Sequence, residues 1–190
     1  MVSCTGHSGK SAAVRHGILH ALNGQCAYVG YMDADLATPL TEMAAMVRTM
    51  AERPELLMCF GSRLKRLGAS IKRHPLRHLL GRLFATATSL VLDLPVYDTQ
   101  CGAKVFTAGA ARLIFAEPFI SRWFFDVEIF ARMVRSYGST VAHTCLLEYP
   151  LLQWHDVGGS HLKLHHILLA PVELLRIRHV FAGRPRGRLH

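Results

Sequence analysis

At 190 residues the chain has about one domain's length, and 51% hydrophobic against 18% charged residues supplies enough apolar material for a packed core, which excludes global disorder. The formal net charge of +9 is concentrated in two blocks: residues 60–82 carry seven Lys or Arg and no acid, and residues 161–190 carry six against Glu173. No run reaches the roughly 18 uncharged apolar residues of a membrane span, so no transmembrane helix is expected.

Apolar residues at helical spacing predict a helix over residues 8–22, stopped by Asn23 and Gly24. Residues 26–32 read as a short buried strand running into Asp33. Thr38 and Pro39, with Glu42 in the first turn, open a second helix through about residue 51. A second buried strand covers 56–60 and ends at Gly61, Ser62 and Arg63. This alternation predicts an α/β fold with a mainly parallel sheet covered by helices. Past the basic block come a helix over 76–92, a loop holding residues 97–102, a strand over 103–106 and a helix over 108–116. A helix over 125–137 closed by Gly138 follows, then a strand over 139–147, a loop over 150–160, an amphipathic helix over 161–180 and a loose Gly/Pro/Arg-rich tail.

Asp33, Ala34 and Asp35 follow directly on a buried strand. Residues i and i+2 of extended backbone project to one side, so both carboxylates can converge on a cation at the strand's C-terminal end, where open α/β sheets bind ligands. Two hard oxygen donors with room for water suit Mg²⁺ or Mn²⁺ bridging a diphosphate. The same residues also read as a surface turn that caps the next helix. Residues 4–11 fall one residue short of a P-loop, with Cys4 where the first glycine belongs and only three residues for the preceding strand. A Gly-Lys turn that opens a helix can contact phosphate in other folds. His161 and His165, at i and i+4, read either as a metal pair or as part of a wetted interfacial helix. The five cysteines are odd in number and contain no CxxC, which points to reduced, mostly buried thiols. The basic blocks lack interleaved aromatics, so the expected anionic partners are phosphates or an acidic membrane surface, with no nucleic acid. The first ten residues lack a secretory pattern, and the expected compartment is cytoplasmic.

Taken in order, Gly9-Lys10-x-x-Ala13-Val14-Arg15-x-Gly17, Asp33-Ala34-Asp35-x-Ala37-Thr38, Gly61-Ser62-Arg63, Arg73-x-x-x-Arg77, Asp98-Thr99-Gln100-Cys101-Gly102-x-Lys104-x-Phe106, Arg122-Trp123-x-Phe125-Asp126-Val127-Glu128 and Gly159-Ser160 resemble the family 2 glycosyltransferases that make polyprenyl-phosphate sugars. The resemblance is to the dolichyl-phosphate glucosyltransferase-like branch and covers about residues 6–180; Ala37 favours the glucosyl over the mannosyl type. It implies a GT-A-like α/β fold, N-terminally truncated, because nothing in this sequence corresponds to the family's first strands and nucleoside-binding turn.

The implied activity is inverting transfer of a hexose, glucose, from UDP-glucose to a polyprenyl phosphate at the inner face of the membrane. The implied roles are donor binding by Lys10, Arg15, Asp33, Ala34 and Asp35, with Asp33 and Asp35 also holding Mg²⁺ or Mn²⁺. Asp35 and Asp126 are the implied catalytic residues. Arg63, Arg73, Arg77, Ser160 and Lys163 would take the acceptor phosphate, Lys163 because His161 stands where the family commonly has lysine. Asp98, Gln100 and Lys104 form a supporting loop. The implied division is a partial glycosyltransferase domain over 1–160, a membrane-surface helix over 161–181 and a flexible basic tail over 182–190. Two other readings stand beside this one: a catalytically silent fragment or partner subunit of such an enzyme, and a P-loop-like NTPase.

Overall fold

The computed structural model describes residues 9–72, 75–156 and 164–181. Gly9, with φ of 119°, turns the chain into α1 (Lys10–Ala21). After it come β1 (Tyr28–Tyr31), α2 (Leu40–Glu52) and β2 (Met58–Ser62), the expected alternation. Next are β3 (Ser70–Lys72), α3 (Pro75–Leu92), β4 (Lys104–Thr107), α4 (Ala108–Ile114), α5 (Phe125–Tyr137), α6 (Ser139–Cys145), β5 (Leu146–Pro150), β6 (Gln153–His155) and α7 (Leu164–Phe181).

Two stretches differ from the sequence reading. Residues 139–147, expected as one strand, divide into α6 and β5. Thr140 and Val141 favour a strand by propensity, but a helical turn buries Ala142 and Cys145 against the core, and burial outweighs propensity. Second, β3 lies inside the basic block and β6 inside the expected 150–160 loop. They pair in parallel as a separate ribbon, Ser70 opposite Gln153 and Lys72 opposite His155. Three-residue strands are too short to carry a periodicity.

The main sheet has the order β1-β4-β2-β5. β1, β2 and β5 run one way, as a mainly parallel sheet requires, but β4 lies between β1 and β2 and runs antiparallel to both. The sheet is therefore mixed. The reason is the path of the chain: the loop before β4 starts beside the end of β2, where Asp98 bonds Arg63, so β4 can only run back.

Alternation along the strands gives each sheet face its own core. Met58, Phe60 and Phe106 join one apolar cluster with residues of α1, α4, α5, α6 and α7. Cys59, Ala103 and Val105 join a second with Met46 and Met50 of α2 and with Ile71 and Trp154 of the small ribbon. α7 buries Ala170, Leu174 and Ile177, packing against α5 and α3, and exposes Leu169, Val172, Leu175 and Val180. No helix among the described residues is long and apolar enough to cross a membrane. This topology brings the turn after β1, the residues after β2 and the loop before β4 to one end of the sheet.

Candidate active site

β1 delivers the chain to a turn in which the Leu36 N–H donates to the Asp33 carbonyl at 3.2 Å. Ala34 and Asp35 are exposed on it. Asp35 Oδ1 accepts the Ala37 N–H at 3.0 Å, and Asp33 Oδ1 pairs with Lys10 Nζ at 2.6 Å. The Asp33 carboxylate fills the space that a Cβ on residue 102 would need, so glycine at that position is what lets the loop and the carboxylate meet. Lys10, the first residue of α1, is held in its charged form: burial lowers its pKa, but the carboxylates of Asp126 and Asp33 outweigh burial and leave it raised.

Behind this turn lies a buried set of charges. Lys104 has none of its side chain exposed and donates from Nζ to Asp126 Oδ1 and to the Cys101 carbonyl, each at 2.6 Å. The Tyr31 hydroxyl donates to the same Asp126 Oδ1 at 2.6 Å. Burial, followed by the Asp126 charge, pushes the Tyr31 phenol well above its ordinary value. Asp126 sits in the first turn of α5. That helix start is anchored by Glu128, which accepts the Ile120 and Ser121 N–H groups and pairs with Arg132 at 2.6 Å.

The third group follows β2. Arg63 donates from Nε and Nη2 to the two oxygens of Asp98 at 2.6 and 2.7 Å, and its backbone N–H donates to Asp98 Oδ2 at 3.1 Å. Its guanidinium lies 5.3 Å from the centre of the Trp154 ring. Burial opposes the Arg63 charge, but Asp98 outweighs burial and raises the pKa. The Asp33 charge acts on Arg63, Lys10 and Tyr31, so the three groups form one electrostatic site.

Arg15 is not brought to this cluster: its guanidinium donates to the Phe115 and Ala116 carbonyls at 2.9 and 2.5 Å, tying α1 to the end of α4. In the supporting loop, Thr99 Oγ1 and Gln100 Nε2 are buried without a protein partner among the described residues. Arg73, Ser160 and Lys163 lie outside the described residues, as do residues 4–8 of the P-loop-like segment and His161. For Arg77 only the backbone, within α3, is described.

Sequence reasoning passed over Tyr31, Glu42, Glu148 and Trp154. Glu148 accepts the Tyr97 and Asp98 N–H groups, both at 2.8 Å. Glu42 Oε1 accepts the Leu152 and Gln153 N–H groups at 3.1 and 3.0 Å. A lone acid inside the apolar run Leu146–Pro150 was the available signal for Glu148. Glu42 was read only as a helix-start residue.

Carboxylates on a turn after the first strand, faced by lysine and arginine at the C-terminal end of the parallel strands, belong to a GT-A glycosyltransferase fold. The chain superposes on glucosyl-3-phosphoglycerate synthase from Mycobacterium tuberculosis in complex with UDP with a TM-score of 0.62 and 13% identity, over 95% of this chain and 57% of that one. The same enzyme in complex with phosphoglyceric acid gives a TM-score of 0.59 at 12% identity, over 98% and 58%.

By sequence the chain is similar to proteins named dolichyl-phosphate β-glucosyltransferase. It is 32% identical to one from Trichomonas vaginalis over 89% of this chain and 48% of that protein. To the Saccharomyces cerevisiae enzyme of that name it is 29% identical over 82% and 47%, and to the human one 29% over 85% and 48%. The chain thus spans about half the length of the curated relatives it matches. No protein-family model matches it. Nothing among these proteins supports the NTPase alternative.

Proposed function

We propose that the chain carries the catalytic end of a polyprenyl-phosphate glucosyltransferase, transferring glucose from UDP-glucose to a polyprenyl phosphate with inversion. What supports this reading above all is the convergence of Asp33, Lys10, Asp126, Lys104 and Arg63 at one end of the sheet in a relative of the dolichyl-phosphate β-glucosyltransferases.

The donor set suits Mg²⁺ or Mn²⁺. Asp33 and Asp35 each keep an oxygen outside the ion pair and the turn bond described above, and among the described residues no third His, Cys, Asp or Glu joins them. Such a two-carboxylate set leaves room for diphosphate oxygens and water, the arrangement Mg²⁺ takes with nucleotides. The ion would neutralise the departing diphosphate. Lys10 adds a positive charge beside Asp33, and the exposed Asp35 faces the donor. Asp126, pinned by Lys104 and Tyr31, orients the groups between donor and acceptor. Arg63 presents its remaining edge to the acceptor phosphate, the role the sequence resemblance also implies for Arg73, Arg77, Ser160 and Lys163. That phosphate is already largely ionised near neutral pH, its second pKa being about 6 by analogy with phosphoserine, so the reaction needs no strong general base.

The acceptor's lipid places the enzyme at a membrane. The exposed Leu169, Val172 and Leu175 of α7, flanked by Arg176 and Arg178, suit a helix lying in an anionic headgroup layer on the cytoplasmic side.

The test is transfer of labelled glucose from UDP-glucose to a polyprenyl phosphate in Mn²⁺, with Asp35→Asn as the diagnostic variant. Asparagine keeps the oxygen that accepts the Ala37 N–H, so stability should stay within about 0.5 kcal/mol of wild type while transfer is lost. Full turnover by Asp35→Asn would refute the metal assignment. No lipid-linked glucose from the wild-type chain would refute the activity.

A further inference from the structure

Glu148 stands on β5 opposite Phe60 of β2, three residues before Arg63. Its two oxygens divide their work: Oε2 accepts the Tyr97 N–H and Oε1 the Asp98 N–H. Asp98, fixed through its backbone, in turn grips Arg63 by two side-chain bonds and one backbone bond. Both links are two-pronged, and a bidentate carboxylate fixes both the plane and the direction of a guanidinium. The Trp154 ring covers Arg63 from β6. Nε and Nη2 are committed to Asp98, so the direction of the remaining Nη1 edge depends on where Asp98 is held.

We propose that Glu148 is a positioning residue which, through the backbone of Tyr97 and Asp98, aims the Arg63 guanidinium at the phosphate of the acceptor. The phosphate half of this inference rests on the acceptor role given to Arg63 under the proposed function. The aiming half stands on the bonds themselves. Both oxygens must accept, so glutamate cannot be exchanged for its isostere: glutamine turns an –NH₂ toward one of the two N–H groups and breaks that prong with almost no change in volume. A second hold on the loop is independent of Glu148, since the Arg82 guanidinium lies 3.8 Å from the centre of the Tyr97 ring. Loss of one prong therefore loosens the backbone at Asp98 without releasing the whole segment.

The experiment measures hydrogen exchange of the Arg63 Nε–H by ¹⁵N NMR, beside the affinities for a short-chain polyprenyl phosphate, for inorganic phosphate and for UDP-glucose. Glu148→Gln should speed Nε–H exchange at least tenfold and weaken the polyprenyl phosphate and inorganic phosphate about tenfold. UDP-glucose affinity should stay within twofold, and the β2 and β4 amides should keep their protection. Glu148→Asp keeps two acceptors on a stem one methylene shorter and should restore most of the Nε–H protection. Unchanged Nε–H exchange in Glu148→Gln overturns the proposal. So does loss of the β2 and β4 amide protection together with it, including outright failure to fold, or equal loss in both variants, because each assigns Glu148 to packing alone. Faster Nε–H exchange with unchanged phosphate affinity leaves the aiming half standing and refutes the acceptor role of Arg63.

Discussion

Lys104 lies wholly inside the core, where its Nζ donates to Asp126 Oδ1 and to the Cys101 carbonyl, each at 2.6 Å. Breaking a buried pair by removing one partner costs more than the pair contributed, since the other charge is left uncompensated. Lys104→Met, which keeps the volume of the stem, should therefore destabilise the chain by about 3–5 kcal/mol in urea unfolding. A loss under about 1 kcal/mol would mean that Asp126 finds other partners. Gly102→Ala acts through space rather than charge. The added methyl takes the place of the Asp33 carboxylate, which must move aside, and a misplacement of that size can lower transfer about 10²-fold. The loss should appear in kcat and in the KM for UDP-glucose, with the acceptor KM nearly unchanged. A rise confined to the acceptor KM would place Gly102 outside the donor side.

α7 has apolar residues around most of its circumference, and the structure separates two uses of them. Ala170, Leu174 and Ile177 are buried against the body, while Leu169, Val172 and Leu175 are exposed. Deleting the helix would open the core, so the membrane reading is tested on the exposed side alone. The triple change Leu169→Gln, Val172→Gln, Leu175→Gln should leave unfolding nearly unchanged and reduce binding to anionic vesicles at least tenfold, or about 1.4 kcal/mol. Equal flotation of the wild-type chain with neutral and anionic vesicles would count against it. The packed face of α7 could not be told from its exposed apolar residues in the sequence, because periodicity reports that a stripe is apolar and not what covers it. The helix over Phe125–Tyr137 was fully legible, with Gly138 as its stop. α6 was not, because its first turn is built from residues that prefer strands. At the site, Asp33 and Asp35 could be placed from the strand before them. That Arg63 is claimed by Asp98, and Arg15 by carbonyls at the end of α4, could not be seen, because those pairings join residues 35 and about 100 positions apart.

At the scale of the molecule, the two cores contain thiols as well as hydrocarbon. Burial pushes the Cys59 thiol from 9.0 up to about 12 and the Cys101 thiol up to about 11. In the unfolded chain both ionise near pH 9, so above that pH the unfolded state holds fewer protons than the folded one. Stability is then fully present below pH 9 and falls as pH rises, by about 1.4 kcal/mol per unit for each thiol until the folded values are reached. Tyr31, raised by burial and by Asp126, adds to the fall above its ordinary value of 10.0. Urea titrations between pH 8 and 10.5 read this slope, and Cys59→Ala should remove one thiol's share of it whatever it does to absolute stability. A slope that the substitution leaves unchanged would refute the assignment.

The reversed strand between β1 and β2 also sets a timetable for synthesis. Among the described residues β1 pairs with β4, and β2 pairs with β4 and β5 but not with β1. Of the pairings described, none available to β1 or β2 can form until β4 has been made, residue 107 lying 45 residues after β2 ends. At about 5–20 residues per second a ribosome takes roughly 2–9 s to cover that stretch. Over that interval the edges that β4 comes to cover are open to pairing with a neighbouring polypeptide. Slowing translation across α3 lengthens that interval.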